Sequence, residues 1–232
     1  EASKTPTLDK IKKDGKLVIG TSPDYPPFES LDKDNHAIGF DIDLMTAVAT
    51  KLGVKLEVVQ LDFGGLIAAL NAKKFDIMAA GVSVTDERKQ AVDFSTPYLI
   101  GKDALLVHKD LAASIKGVAD LKGKKVAVQL GTVQADEAKK VEGAQVKEYN
   151  LFTEAAAAVS AKQADVVYLH SAVAQAFVKA DKNLVVAAEV PSKDTSFALR
   201  KDTADLTAAV NATIEDLKKS GEFDKLVEKW FK

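Results

Sequence analysis

The chain has 232 residues, no cysteine and a formal net charge of -2, with 28% charged and 47% hydrophobic side chains. The nearly balanced charge argues against a nucleic-acid partner, because nucleic-acid-binding domains usually carry an excess of basic residues on one face. Thiol nucleophiles and thiolate metal sites are excluded, and three histidines far apart in the sequence disfavour a multi-histidine metal site, so we expect no metal and no cofactor.

No apolar run approaches the roughly 18 residues that a transmembrane helix requires. The first residues, EASKTPTLDK, are polar and are not typical of a signal peptide. A chain of this length can bury a sufficient core without disulfides, so the absence of cysteine does not assign a cellular compartment.

In the first half of the chain, predicted strands alternate with predicted helices, which is typical of the α/β class with parallel sheets. The helix over 39–52 is the clearest, because Phe40, Leu44, Val48 and Leu52 recur every four residues. The predicted strands are 16–21, 54–60 and 75–80, and the other helices are 64–72 and one that begins at Thr85.

The same alternation then restarts, which indicates two α/β units of similar layout rather than one continuous sheet. In this part the predicted strands are 124–130, 165–169 and 196–200, and the predicted helices begin near 131, lie near 153–162, follow residue 169 and occupy much of 205–231.

Arginine is rare in this sequence: of 32 lysine and arginine residues, only Arg88 and Arg200 are arginine. Arg88 follows Thr85, a favourable N-cap, by three residues. The helix dipole disfavours a cation in the first turn, so an arginine there indicates an anion held between the guanidinium and the amides of the helix start. A guanidinium can bind a carboxylate with two hydrogen bonds, which lysine cannot do. Ser83, just upstream, can offer its hydroxyl to the same anion.

Other predicted strand ends carry features of a small-molecule site, and in open α/β sheets ligands collect beyond these ends. Thr132 begins a second helix, Tyr25 lies in the aromatic stretch DYPPF, and Phe63 follows the second strand. Each feature also has an ordinary explanation as a helix cap, a turn or core packing, and Arg88 could pair with a surface carboxylate. Together they favour a carboxylate ligand held between two helix starts and flanked by aromatic rings.

Several segments resemble the family 3 solute-binding proteins, the periplasmic polar-amino-acid-binding proteins of ABC importers. The resemblance extends over nearly the whole chain, and the segments occur in the family's order. They are GTSPDYPPFE at 20–29, GFDIDL at 39–44, DFGGLIAALNAKKFD at 62–76, VSVTDERKQAVDFSTPY at 82–98, VAVQLGT at 126–132 and KWF at 229–231.

The resemblance implies a two-lobe periplasmic-binding-protein-like fold of type II, in which each lobe is a mostly parallel sheet flanked by helices. Lobe 1 would comprise 1–99 and 197–232, and lobe 2 would comprise 100–196, joined by two hinge strands near 99–103 and 193–199. The lobes would close on a small-molecule ligand, and a membrane permease would recognise the closed state. The protein would act as a monomer in the periplasm or another extracytoplasmic compartment.

The resemblance also assigns roles to individual residues. Arg88 would clamp the ligand α-carboxylate, and the amides at the helix start in lobe 2 would complete that site. An aromatic pair would sandwich the ligand side chain, and two variable positions would tune ligand choice. The residues implied to contact the ligand are Ser22, Tyr25, Phe63, Gly81, Ser83, Arg88, Gln129, Thr132, Val133 and His170.

His170 departs from the family pattern, which usually has an aspartate here to pair with the ligand α-ammonium. A neutral imidazole offers no charge, and a buried cation without a counter-anion is unfavourable. The ligand could therefore be an organic acid without an α-ammonium, whose second carboxylate pairs with a protonated His170. Alternatively Asp24 or Glu29 supplies the charge, amino-acid affinity is weak, or His170 faces solvent.

Three function classes remain to be compared. The favoured one is a non-catalytic binding protein that delivers a polar amino acid to an importer. The fold also carries cyclohexadienyl dehydratases, but those enzymes have a glutamate where this chain has Val173. A receptor sensory domain is the third class, although no span or output domain accompanies it. Asp41 and Asp43 form a D-x-D that we interpret as helix-start acids, and we expect Trp230 to pack the last helix onto lobe 1.

Overall fold

The computed structural model describes residues 3–232, which form two compact units. Unit 1 comprises the described residues up to Leu61, together with Gly65–Leu99 and Asp194–Lys232, and unit 2 comprises Asp62–Gly64 and Ile100–Lys193. Apart from the short segment Asp62–Gly64, the chain passes between the units after residues 99 and 193, where the sequence predicted boundaries after 99 and 196. Within the described part of the chain, no helix is both long enough and apolar enough to span a membrane.

Helices flank the sheets of both units. Short 3-10 turns occur at Phe63–Gly65, Lys109–Ser114 and Val118–Leu121. The α-helices are α1 (Pro6–Asp14), α2 (Phe40–Leu52), α3 (Leu66–Asn71), α4 (Asp86–Ala91), α5 (Val133–Lys139), α6 (Phe152–Ser160), α7 (Ser171–Ala180), α8 (Ala204–Ser220) and α9 (Glu222–Phe231).

Most strands belong to one of two five-stranded sheets, and a short hairpin adds two more. The strands are β1 (Lys16–Thr21), β2 (Ser30–Leu31), β3 (Ala37–Ile38), β4 (Lys55–Gln60), β5 (Ile77–Ser83), β6 (Asp93–Phe94), β7 (Lys102–His108), β8 (Lys125–Gln129), β9 (Gln145–Tyr149), β10 (Val166–His170), β11 (Leu184–Pro191) and β12 (Thr195–Leu199).

The sheet of unit 1 has the strand order β4-β1-β5-β12-β6. Strands β4, β1 and β5 are parallel, and β12 is antiparallel to both of its neighbours. The central strands β1 and β5 are almost entirely apolar and buried, as expected for strands covered on both faces. Because β1 and β5 are parallel neighbours, their carboxyl ends, at Thr21 and Ser83, lie at the same edge of the sheet.

The sheet of unit 2 has the order β11-β7-β10-β8-β9, in which only β7 runs against the others. Its core contains the alternate residues Leu105 and Val107 of β7 together with Val166 and Tyr168 of β10. Ala135 of α5 packs against the same cluster, so α5 covers this face of the sheet. Both units therefore confirm the predicted α/β class with mostly parallel strands.

Several elements were not predicted from the sequence: α1, β9 and β11 among them. Strand β9 (QVKEY) lies at the edge of its sheet and is largely exposed, so it lacks the apolar pattern that identified the central strands. Strand β11 contains a register shift between Val186 and Ala188, which interrupts its alternation. An edge strand is hard to recognise in a sequence because many of its side chains are exposed and polar. A bulged strand is hard to recognise because the extra residue breaks the alternation of buried and exposed side chains.

The D-x-D at the start of α2 does more than the predicted capping. The N-cap is Gly39, whose φ of 142° is accessible to glycine and which makes no side-chain cap bond. Asp41 is fully buried and bonded within unit 1, whereas Asp43 accepts a hydrogen bond from Nε1 of Trp230 at 2.8 Å. This bond fixes α9 against α2, which agrees with the predicted packing of the last helix.

Candidate functional site

Arg88 lies where β5 passes into α4. Thr85 is the N-cap of this helix, since its Oγ1 accepts a hydrogen bond from the backbone N of Arg88 at 3.1 Å, which confirms the predicted helix start. The guanidinium folds back, and its Nη1 donates to the carbonyl oxygen of Ser83 at 2.8 Å. The side chain is half-buried, so this bond directs a fixed positive charge to the carboxyl end of β5.

Tyr25 lies beside the same strand end. Its ring stacks on Phe28 with a centroid distance of 5.6 Å and is only 8% exposed. Gly81 of β5 has a φ of 57°, and a Cβ at this position would lie 2.9 Å from Cε1 of Tyr25. Glycine is therefore required here for both backbone conformation and space. The predicted contacts Tyr25, Gly81, Ser83 and Arg88 thus belong to one edge of one sheet.

The Gly81 amide is already engaged, because it donates to Oδ2 of Asp41 at 2.9 Å. A ligand contact from Gly81 would consequently use its carbonyl oxygen. Ser22, the predicted selectivity position after β1, donates from Oγ to Oδ1 of Asp24 at 2.8 Å. Both side chains are buried, so Ser22 positions a carboxyl group at this edge as well as offering its own oxygen.

A pair of buried carboxyl groups, Glu29 and Asp41, lies behind the carboxyl end of β5 and was not predicted from the sequence. Glu29 and Asp41 are both 0% exposed, and Oη of Tyr98 donates to Oδ1 of Asp41 at 2.6 Å. Burial, followed by the neighbouring carboxyls of Asp41 and Asp24, raises the pKa of Glu29 well above its ordinary value. Burial also raises the pKa of Asp41 to about 7, although its hydrogen bonds from Tyr98 and Gly81 oppose that shift.

In unit 2, Thr132 is the N-cap of α5. Its Oγ1 accepts from the backbone N of Ala135 at 3.2 Å and donates to the carbonyl of Gln129 at 2.7 Å. Both hydrogen bonds of the Thr132 hydroxyl are therefore made within the protein. The backbone N–H of Val133 is the group that could bind a ligand, since first-turn amides lack an acceptor within the helix. Gln129 is buried and donates from Nε2 to the carbonyl of Asn150 at 2.9 Å.

Phe63 begins the 3-10 turn after β4 and is counted with unit 2. The next residue, Gly64, lies against the β8–α5 connection, since a Cβ on Gly131 would come within 3.1 Å of the Cα of Gly64. Within unit 2, Phe63 is therefore carried next to the turn that leads into Thr132. The side chain is partly exposed.

His170 ends β10 and caps α7. Its Nδ1 accepts a hydrogen bond from the backbone N of Ala172 at 3.2 Å, and the side chain is 8% exposed. Burial lowers the pKa of His170 to about 4, so the ring is neutral at pH 7. His108, at the end of β7, makes the same kind of cap bond to the backbone N of Asp110. The alternative of a solvent-facing His170 is excluded, because the side chain is buried.

A further buried acid, Asp103, was also not predicted. It is 3% exposed, and its Oδ1 accepts from Nε2 of Gln134 at 2.9 Å. Burial raises the pKa of Asp103 to about 6, against hydrogen bonds from Ser192 and Gln134 that lower it. The signal that could have identified Asp103 is a charged residue within the apolar run DALLV.

One group of possible metal ligands exists among residues 3–232: Asp32, Asp34 and His36, whose ligand atoms lie within 4.8 Å of one another. These side chains sit in the loop between β2 and β3, where Oδ1 of Asp32 accepts from the backbone N of Asp34 and of His36. The hydrogen bonds account for the arrangement as a turn, and the group lies outside the residues described above.

Known amino-acid-binding proteins are similar to this chain in sequence. The chain is 34% identical over 223 residues to the arginine-binding extracellular protein ArtP of Bacillus subtilis, covering 93% of this chain and 86% of that protein. It is 35% identical over 227 residues to the L-cystine-binding protein TcyJ of Escherichia coli K12, with coverages of 97% and 85%.

The structure is also similar to the crystal structure of AncCDT-1, an ancestral amino acid-binding protein described as a precursor of cyclohexadienyl dehydratase. The TM-score is 0.93 at 43% identity, covering 97% of this chain and 100% of AncCDT-1. Residues 17–232 match the model of the bacterial extracellular solute-binding proteins, family 3. The chain therefore belongs to this family of solute-binding proteins.

Proposed function

We propose that this protein binds a free α-amino acid outside the cytoplasm and delivers it to the permease of an ABC importer, without catalysing a reaction. The ligand would be a polar amino acid, its α-carboxylate held by Arg88 and by the amide of Val133. The protein would bind it as a monomer. The observation that carries the proposal is the fixed guanidinium of Arg88 at the carboxyl end of β5.

Support from unit 1 comes from the conformation of Arg88. Because Nη1 is held by the Ser83 carbonyl at 2.8 Å, the guanidinium is oriented before a ligand arrives. An oriented fork loses less conformational entropy on binding a carboxylate than a mobile lysine would. The buried ring of Tyr25 beside it offers an apolar surface for the aliphatic part of a ligand.

Support from unit 2 comes from the first turn of α5 and from Phe63. Thr132 fixes the helix start through two hydrogen bonds, so the Val133 amide has a defined direction. Valine at 133 contributes no hydroxyl, and this half offers the carboxylate one hydrogen bond fewer than a serine or threonine would. We expect Tyr25 and Phe63 to flank the ligand side chain.

The alternative ligand is an organic acid without an α-ammonium. One form of that hypothesis requires a protonated His170 to pair with a second carboxylate. With a pKa of about 4 in the ligand-free fold, His170 would have to take up a proton to form this pair at neutral pH, which disfavours this form of the hypothesis. A neutral His170 can still donate one hydrogen bond, so an organic acid remains a competitor to be tested beside the amino acids.

A dehydratase activity is the second candidate, favoured by the similarity to AncCDT-1. Dehydration requires a general acid near the leaving hydroxyl. The resemblance implies a glutamate in those enzymes at the position of Val173. This valine is 0% exposed within α7 and offers no acid. We therefore favour binding without catalysis.

The test is a thermal-shift panel of the twenty amino acids and a set of dicarboxylic acids, with prephenate turnover measured in parallel. A ligand at about 100 times its Kd should add about 2.7 kcal/mol of stability. For a chain of this size the expected rise in Tm is roughly 5–10 °C. A response only to dicarboxylic acids would contradict amino-acid binding, and prephenate turnover would establish the enzyme.

A further inference from the structure

The hydrogen bonding of His170 fixes which ring nitrogen carries the proton. Nδ1 accepts from the backbone N of Ala172 at 3.2 Å, so it cannot bear a proton itself. In the neutral ring, Nε2 is then an N–H donor. An α-ammonium is also a donor, and two donors cannot pair. His170 therefore offers a ligand ammonium neither charge nor an acceptor.

Asp103 lies directly opposite His170. In the antiparallel pairing of β7 with β10, His170 is the register partner of Asp103, as Tyr168 is of Leu105. Side chains of opposed residues project from the same face, with Cβ atoms about 4.5–5.5 Å apart. Leu105 and Tyr168, two residues further along each strand, belong to the core cluster covered by α5. Asp103 and His170 thus occupy the end of that same covered face.

Asp103 is held by neutral groups only. Its hydrogen-bond partners in the described part of the chain are the side chains of Gln134 and Ser192. The neighbouring cation, Lys102, is paired instead with Glu189. An ionised carboxyl group at 3% exposure is unfavourable when no cation is paired with it, and the pKa of Asp103 is therefore raised to about 6. A bound cation would stabilise the ionised form.

We propose that Asp103 supplies the negative charge that pairs with the ligand α-ammonium, while the Nε2–H of His170 donates to an acceptor atom of the ligand. This inference rests on the proposed amino-acid binding and names the residue that decides it. Gln134 joins the two parts of the site: it holds Asp103 and directly follows Val133, whose amide we assign to the α-carboxylate. Asp103 is then the specificity-determining residue for amino acids over the corresponding deaminated acids.

Binding should depend on pH in a defined direction. An ammonium prefers the ionised Asp103, so below pH 6 the protein must release a proton to bind. Affinity should therefore rise with pH by up to tenfold per pH unit and level off above about 6. Among the described residues, the other titratable groups beside Asp103 are His170 and Tyr168 on β10. Glu137 of α5 acts on Tyr168, and Lys102 of β7 is paired with Glu189 of β11.

The test compares two ligands that differ only in the amino group, L-arginine and 5-guanidinopentanoate, together with the pair L-glutamine and glutaramate. Titration calorimetry is performed on the wild type and on Asp103→Asn, which keeps an acceptor for Gln134. We expect the substitution to lower the preference for each bound amino acid over its analogue at least tenfold. The pH dependence below 6 should disappear at the same time. The double variant Asp103→Asn/His170→Asp, which restores a carboxylate across the strand pair, should recover the preference.

The outcomes separate the inference from the proposed function. If the wild type binds neither amino acid, amino-acid binding fails and the inference fails with it. If the wild type binds and Asp103→Asn keeps the same preference, only the inference is overturned, and loss in Asp24→Asn instead would move the charge to unit 1. Carboxyl NMR of the wild type provides a check without substitution. The pKa of Asp103 should fall from about 6 on saturation with the bound amino acid, and an unchanged pKa would refute the pairing.

Discussion

Tyr98 and Asp41 form a buried hydrogen bond behind the carboxyl end of β5 in unit 1, with Oη of Tyr98 2.6 Å from Oδ1 of Asp41. The other carboxyl oxygen of Asp41 accepts from the amide of Gly81 at 2.9 Å. A buried side chain of α2 thus fixes the strand residue that lies against Tyr25. The shape of the proposed site therefore depends on a hydrogen-bonded pair to which we assign no ligand contact.

Substitution Tyr98→Phe should lower the free energy of unfolding by about 1–3 kcal/mol, because buried Asp41 loses a donor that nothing replaces. Urea unfolding followed by circular dichroism measures this change. Tyr149→Phe is the matched control: its ring is partly exposed on an edge strand and close to Lys147, and the substitution should change stability by less than about 0.5 kcal/mol. Equal effects at the two positions would contradict a structural role for the Tyr98 hydroxyl.

The buried carboxyls should make stability fall as pH rises. An unfolded aspartate titrates near pH 4, whereas Asp41 titrates at about 7 in the fold, so the unfolded state binds fewer protons between these values. The stability contributed by this group is complete below pH 4 and is lost as pH rises through about 7. The loss is up to about 1.4 kcal/mol per pH unit across that range.

Glu29→Gln isolates this effect, because it removes one of the two coupled carboxyls. The unfolding free energy of the variant minus that of the wild type should increase between pH 5 and pH 8. Glu57→Gln, on the exposed pair with Lys16, should give a difference that does not change with pH over this interval. Parallel curves for Glu29→Gln and wild type would rule out a buried, protonated Glu29.

The two arginines should respond oppositely to substitution. Arg88→Ala should remove ligand-induced stabilisation with little change in the ligand-free fold, and Arg88→Lys should weaken binding at least about tenfold, because the forked contact is lost. Arg200 donates from Nη1 to the carbonyl of Phe75 at 2.7 Å, inside unit 1. Arg200→Lys should therefore lower Tm but leave the ligand-induced shift unchanged. Thermal shift with and without ligand measures both, and a full shift in Arg88→Ala would refute the carboxylate assignment.

Gly81→Ala should weaken binding by displacing Tyr25, since the added Cβ would lie 2.9 Å from the Tyr25 ring. The strain of a positive φ also lowers stability by about 1–2 kcal/mol. Gly123→Ala provides the control for strain alone, because Gly123 has a φ of 74° and nothing within 4 Å of the added Cβ. We expect similar strain in both variants and loss of affinity only in Gly81→Ala. Calorimetry that finds equal affinity in the two would show that the ring position is not important.

Among the strands, those with nearly complete burial were predicted most clearly. Strands β1, β5, β8 and β10 are nearly continuous apolar runs. Such runs can be recognised as buried strands from neighbouring residues alone. The N-caps at Thr85 and Thr132 were equally local, since each bonds an amide three residues ahead. Strands β9 and β11 required pairing partners far along the chain, which composition does not identify.

The sequence by itself determined the α/β class, the family and the helix start that carries Arg88, because these depend on local periodicity, capping and motif order. Tertiary structure alone decided the charge state of the buried groups. His170 is neutral and donates from Nε2 because Ala172 occupies Nδ1, and Asp103 faces it only because β7 pairs antiparallel with β10. Protonation depends on burial and on neighbours brought from distant parts of the chain, and neither is encoded in the residue type.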